Sequence, residues 1–178
     1  MAQEKLSRDE KLNERCDVLA KVVLRLRPVY QEPATKHQKP AAKKTQMDLL
    51  ETLIGAAIWY LPECEGQFTG RISIKAAKDC LQDPKAKVTK EHRYPRKQAG
   101  ADLLKDKATK LTGKEVLAVY RRKWGRYNLV TKEENYALRP HQRKKGKSTN
   151  ACYRAVGIIL KVVPEELKDD RRIYRKRA

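Results

Sequence analysis

Thr89-Lys90-Glu91-His92-Arg93-Tyr94-Pro95 and, further on, Tyr127-Asn128-Leu129-Val130-Thr131-Lys132-Glu133-Glu134-Asn135 decide how this chain is read. Residues 87–94 include Val88, Thr89 and Tyr94 and read as extended. Tyr127 to Thr131 reads as a second short strand. Thr131 then caps a helix, and Glu133 and Glu134 put carboxylates in its first turn, where the helix dipole favours them. The order is strand, insertion, strand, helix. One of only three histidines, His92, ends the first strand.

Outward from this centre the chain reads as helices. Ser7 and Glu10 have the capping-box spacing, and Leu12, Cys16, Leu19, Val23 and Leu26 recur at three- and four-residue steps. A helix is expected from Arg8 to Arg27, stopped by Pro28. Pro28, Pro33 and Pro40 lie among Lys36, Lys39, Lys43 and Lys44, so 28–46 reads as an extended basic linker, with His37 given no role. Asp48 caps a helix from Leu49 to Leu61 that is apolar nearly all round and is expected to be the buried central one. Residues 63–70 read as a turn, and Ser73 caps a helix to Gln82. Helices follow at Gly100–Asp106 and Thr112–Lys123, and Pro140 is expected to end the helix that Thr131 opens. Residues 141–149 read as a basic loop. Asn150 caps a short helix, Ile158 to Val163 is extended, and Pro164 starts a last short helix.

The expected fold class is α+β and predominantly helical, a helical scaffold carrying a small two-strand module. The expected organisation is an N-terminal helix and basic linker over 1–46. Residues 47–178 then form the scaffold, with the module at 88–139 and a basic C-terminal tail.

At 178 residues, 40% of them hydrophobic, the chain can bury a core. Its 42 Lys and Arg against 22 Asp and Glu give a net charge of +20, beyond what solubility needs. Polyanions are the natural partners. Residues 84–154 alone carry +15. A surface so charged repels itself unless something negative answers it. The cysteines at 16, 64, 80 and 152 have no Cys-x-x-Cys spacing, which argues against a zinc knuckle. Cys16 and Cys80 fall on apolar helix faces and read as core thiols. No apolar run reaches about 18 residues and no leader pattern opens the chain. The expectation is a reduced, cytoplasmic protein with no membrane partner.

The two opening stretches resemble the ββα-metal nuclease module, the His-Me finger or HNH type, over 88–139. "EHRYP" is similar to the family's "DH-x-x-P" half, and "VTKEEN" to its "VT-x-x-EN" helix start in phage-type and homing enzymes. The resemblance implies a metal-dependent DNA endonuclease, phage-borne and of homing, restriction-like or nicking type. It implies His92 as general base, Asn128 as the central Asn of an "NL" pair, and Glu91 and Asn135 as ligands of one Mg²⁺ or another divalent cation such as Mn²⁺. It implies that Arg93, Arg96 and Lys97, just past the base, grip neighbouring phosphates. Arg139, Arg143, Lys144, Lys145 and Lys147 would extend that grip. DNA is the implied partner, and a homodimer follows if each module cuts one strand.

The chemistry needs few parts. A cation neutralises charge developing on the phosphorane, and an imidazole with an ordinary pKa of about 6.5 takes a proton from water. Three departures from the family pattern stand out. Glu91 replaces Asp, the insertion over 96–126 is long and helical, and Asn128 lies only seven positions before Asn135.

Plainer readings stay open. A histidine on a basic strand is often a surface residue, and Glu-Glu-Asn at a helix start is often only good capping. A non-catalytic nucleic-acid-binding protein explains the charge without any metal. So does an adaptor whose basic face meets an acidic protein.

Overall fold

Capping and anchoring set the helix bounds in this chain, and both differ from what proline positions alone suggest. The computed structural model describes residues 6–35 and 38–173; His37 and residues 174–177 of the basic tail lie outside them, as does the Lys145 side chain. In chain order the first elements are α1 (Arg8–Gln31), α2 (Pro40–Trp59), β1 (Phe68–Ser73), α3 (Ile74–Gln82) and β2 (Thr89–His92). Next come α4 (Arg96–Lys105), α5 (Gly113–Val119), a π-helical turn at Tyr120–Trp124 and β3 (Tyr127–Val130). The last are α6 (Lys132–Lys145), α7 (Asn150–Ala155), β4 (Leu160–Val162) and a 3₁₀ turn at Glu165–Leu167. The chain is α+β and predominantly helical, as its sequence predicts. No helix among the described residues is long and apolar enough to cross a membrane.

Two compact units form, each from two stretches of chain. The helical unit runs to Cys64 and takes in Arg96–Trp124; the sheet unit holds Glu65–Pro95 and everything from Gly125. The division therefore does not fall at the expected linker.

In the helical unit, α1 opens on the Ser7–Glu10 capping box and runs through Pro28. Pro28 removes one backbone donor, yet the last turn is held from outside the helix. Arg27 Nε donates to the Leu103 carbonyl at 2.8 Å, the Tyr30 hydroxyl to Glu51 at 2.7 Å, and Gln31 to the Leu104 carbonyl at 2.8 Å. These tertiary bonds outweigh the lost internal one. The expected linker shrinks as well, because Pro40 starts α2 rather than interrupting a coil. α2 is not the buried central helix its composition suggests. Only Ile54, Gly55 and Ile58 are buried along it, while Leu49 (64%) and, just past its end, Tyr60 (73%) stay exposed. What α2 buries is a glycine contact. A Cβ at Gly55 would lie 2.5 Å from the Arg96 carbonyl oxygen, and one at Gly100 would lie 2.3 Å from that of Glu51. Backbone therefore meets backbone where α2 crosses α4.

The sheet unit has strand order β2-β3-β1-β4. β1 runs parallel to β3, with a register break between Phe68 and Ile72 where Gly70 sits at φ +73°. The other two pairings are antiparallel. β1 was expected to be a turn up to residue 70. One sheet face meets α3, through Ile72, Ala76, Ala77, Cys80, Tyr127 and Leu129. α6 and α7 form a second small core of Leu138, Cys152, Tyr153 and Ile158. α6 also runs through its proline, Pro140, and stops at Gly146 in the left-handed region (φ +68°). Thr149, not Asn150, caps α7.

Candidate nucleic-acid interface

The strand–strand–helix order expected from the sequence forms. β2 and β3 pair antiparallel, Glu91 opposite Asn128 and His92 opposite Tyr127. α6 follows directly, with a full capping box between Thr131 and Glu134. The Glu134 carboxylate also accepts from the Ser73 hydroxyl at 2.6 Å, which ties the helix start to the end of β1.

Side chains alternate along a strand, so Glu91 and His92 leave β2 on opposite faces. His92 is half-buried on the face that carries α3. Its ring lies 5.6 Å from that of Tyr127, and Lys90 Nζ sits 5.0 Å from the same ring. Glu91 points the other way and is completely buried, at 0% exposure. Four donors at 2.5–3.3 Å fill its two oxygens. Ser148 Oγ and Gln142 Nε2 donate to Oε1, and the Tyr153 hydroxyl and Asn128 Nδ2 donate to Oε2. Burial, then the Glu91 charge, push the Tyr153 hydroxyl well above its ordinary pKa, so Tyr153 stays a donor.

This arrangement bears on each residue singled out from the sequence. A hard divalent cation needs oxygen lone pairs and room for its own waters. Glu91 offers neither, so it does not fit as a metal ligand; it is the acceptor that gathers β2, β3, α6 and α7. Asn128, 2% exposed, is a strut in the same network: its Oδ1 accepts from Thr69 and its Nδ2 also reaches Tyr153. Asn135 is half-buried, two turns before Gln142, or roughly 10 Å along the helix at ~1.5 Å per residue. Gln142 is the α6 residue that reaches Glu91. His92, Glu91 and Asn135 are thus dispersed rather than convergent. Among the described residues no group of three or more His, Cys, Asp or Glu side chains comes together to hold a metal.

The expected phosphate contacts divide as well. Arg96 and Lys97 belong to the helical unit and are engaged there. The Arg96 guanidinium stacks 3.0 Å from the Trp59 ring centroid, and Lys97 Nζ is 2.9 Å from Asp48. Arg139 lies over Tyr136 at 4.3 Å. Arg93, Arg143, Lys144 and Lys147 are exposed, and none is in an ion pair among the described residues. His141 is half-buried on α6.

Two further arginines went unnoticed in the sequence. Arg71 lies on the unforeseen strand β1, and Arg126 immediately precedes β3. By strand alternation both share the Glu91 face with Arg93. The one sequence signal for Arg126 was its two-residue offset from Asn128; Arg71 reaches this face only through the pairing of β1 with β3. Comparison with models of protein families, with characterised proteins and with solved structures finds no match to this chain, so its function has to be read from the residues themselves.

Proposed function

We propose that this chain is a nucleic-acid-binding protein whose sheet unit holds the phosphate backbone of DNA. The observation that supports this is the imbalance of charge in that unit. It carries 22 Lys and Arg against 10 Asp and Glu, and exposed Arg143, Lys144 and Lys147 follow one another with no ion pair among the described residues. Cations left unanswered within a fold release counterions from DNA when they bind it. The contacts position the duplex rather than read its bases.

The test is the salt dependence of affinity. Replacing Arg143, Lys144 and Lys147 by Gln should flatten the plot of log affinity against log salt by about 0.9 for each lost contact. An unchanged slope would remove this surface from the interface, and absence of binding at low salt would end the reading.

A second reading, a metal-dependent DNA endonuclease with His92 as general base, is favoured by one observation: the antiparallel β2–β3 pair followed by the capped α6, with His92 closing β2. In it His92 accepts a proton from the attacking water, and the basic surface holds the strand. The divalent cation this chemistry calls for needs donors other than Glu91. Incubation with plasmid and Mg²⁺, with EDTA as control, separates the two readings. Cleavage that His92→Ala abolishes while binding persists supports the enzyme; binding with no cleavage leaves the first reading alone.

A further inference from the structure

The Glu91 face of the sheet opens into a cleft of about 330 Å³ lined by Arg71, Arg93 and Arg126, with Thr69, Asn150 and Leu160 at its walls. We propose that this cleft binds a phosphomonoester, the terminal phosphate of a nucleic-acid strand.

Three observations carry this. First, none of the three guanidinium groups has an ion pair or a hydrogen bond among the described residues. Second, Arg126 Nε is buried without an acceptor. An orphaned donor of this kind costs free energy unless a ligand satisfies it. Third, among the described residues no carboxylate lines the cleft. Glu91 lies behind Asn128 and Tyr153, which form part of the lining, with its oxygens already covered.

The backbone that carries the three arginines is also held in place. The Arg93 N–H donates to the Arg126 carbonyl at 3.1 Å, and the Ser148 N–H donates to the Arg93 carbonyl at 2.8 Å. Arg71 is fixed opposite Val162 in the sheet. Three guanidinium forks carried on a fixed backbone suit a tetrahedral oxyanion.

The shape selects among phosphates. A backbone diester has two ester oxygens, and both strands of chain leading from it must leave the cleft. A monoester has one, so its other three oxygens can face the three arginines. It also carries more charge than a diester, close to two units at neutral pH. The cleft falls at the small end of ordinary ligand sites, large enough for a phosphate and the sugar next to it. With Leu160 the one aliphatic side chain in the lining, it offers little to a base.

The proposal rests on the nucleic-acid reading, and the experiment keeps the two apart. Anisotropy measurements use one single-stranded oligonucleotide in three forms: 5′-phosphorylated, 3′-phosphorylated and hydroxyl-ended. The wild type should bind one phosphorylated form about tenfold more tightly than the hydroxyl form, the effect of one strong charge-assisted contact. Arg126→Gln should erase that preference while affinity for the hydroxyl-ended strand stays within about twofold, since backbone contacts elsewhere are untouched. Arg126→Lys keeps the charge but loses the fork, and should also lose the preference. A mononucleotide titrated alone gives the second arm. Saturable binding of it that Arg126→Gln abolishes supports the monoester site and identifies free nucleotides as a source. Equal affinity for all three oligonucleotides, with no mononucleotide binding, overturns the site and leaves the nucleic-acid reading standing. Failure of every oligonucleotide to bind overturns that reading, and the mononucleotide arm then decides the cleft by itself.

Discussion

The two units spend similar numbers of cations very differently. The helical unit has 20 Lys and Arg against 12 Asp and Glu; the sheet unit has 22 against 10. In the helical unit several cations are answered within the fold. Arg27 donates to two carbonyls and to Asp106, Lys97 and Lys105 reach Glu51, Lys123 reaches Asp102, and Arg96 covers Trp59. In the sheet unit the most buried charge is an anion, Glu91, satisfied by neutral donors alone, while Arg71, Arg93 and Arg126 have no ion pair among the described residues. Where cations are answered within the fold they are structural. In the function proposed for the chain, an external anion completes those that are unanswered. Total charge alone does not make that distinction.

The largest expected effect tests the anion. Glu91→Ala would leave the buried Ser148 and Tyr153 hydroxyls without their acceptor and take one of two acceptors from Gln142 and Asn128. Lost donors cost about 1–3 kcal/mol each before relaxation, so urea unfolding should show a loss of at least ~3 kcal/mol. A loss below ~1 kcal/mol would mean the carboxylate serves something other than the fold, and would restore it as a ligand candidate. EDTA should leave the stability of the wild type unchanged.

Next in size is the glycine contact of the helical unit. Gly100→Ala places a methyl 2.3 Å from a backbone oxygen, so α2 and α4 must separate. Overpacking of this kind costs about 1–3 kcal/mol. The same unfolding measurement checks it, and a neutral result would show that the two helices slide freely.

Local signals in the sequence carried much of the fold. The Ser7–Glu10 capping box, the Thr131 cap and the β2 and β3 segments stand where read, because each depends on residues a few positions apart. What was missed depends on distant partners. β1 looked like a turn because Thr69-Gly70 lacks strand character. Its pairing partner, β3, lies more than fifty residues on, and the bulge at Gly70 needs the glycine. α1 and α6 pass through Pro28 and Pro140, and their own side chains anchor the final turns to groups elsewhere in the fold. The candidate site suffered most from this. Glu91-His92 are neighbours in sequence, but strand alternation separates them. Arg71, Arg93 and Arg126 are scattered in sequence, and the sheet gathers them.

A smaller effect, on binding alone, tests the division of cations directly. Replacing Lys97, Lys105 and Lys123 by Gln in the helical unit should leave the salt slope of DNA binding within about 0.5, although it removes as many charges as the Arg143, Lys144 and Lys147 substitution. These lysines reach Asp48, Glu51 and Asp102, so they have few counterions to displace. Equal slopes from the two triple variants would dissolve the distinction between structural and unanswered charge.

The smallest effect concerns whether the units open separately. All four cysteines are buried thiols, Cys16 and Cys64 in the helical unit, Cys80 and Cys152 in the sheet unit. Burial, reinforced by Asp17, pushes the Cys16 thiol up to about 11 from its ordinary 9.0. The folded state therefore favours the protonated thiol. That contribution to stability is intact below pH 9.0 and is lost as pH rises toward about 11. At pH 8 a native thiol so placed does not react, and an alkylating reagent reports only opening of the surrounding structure. Mass-resolved labelling should then give one rate for the pair in each unit, with the two rates distinct. A single common rate would show that the units unfold as one cooperative body, and that Glu91→Ala and Gly100→Ala both draw on the same global stability.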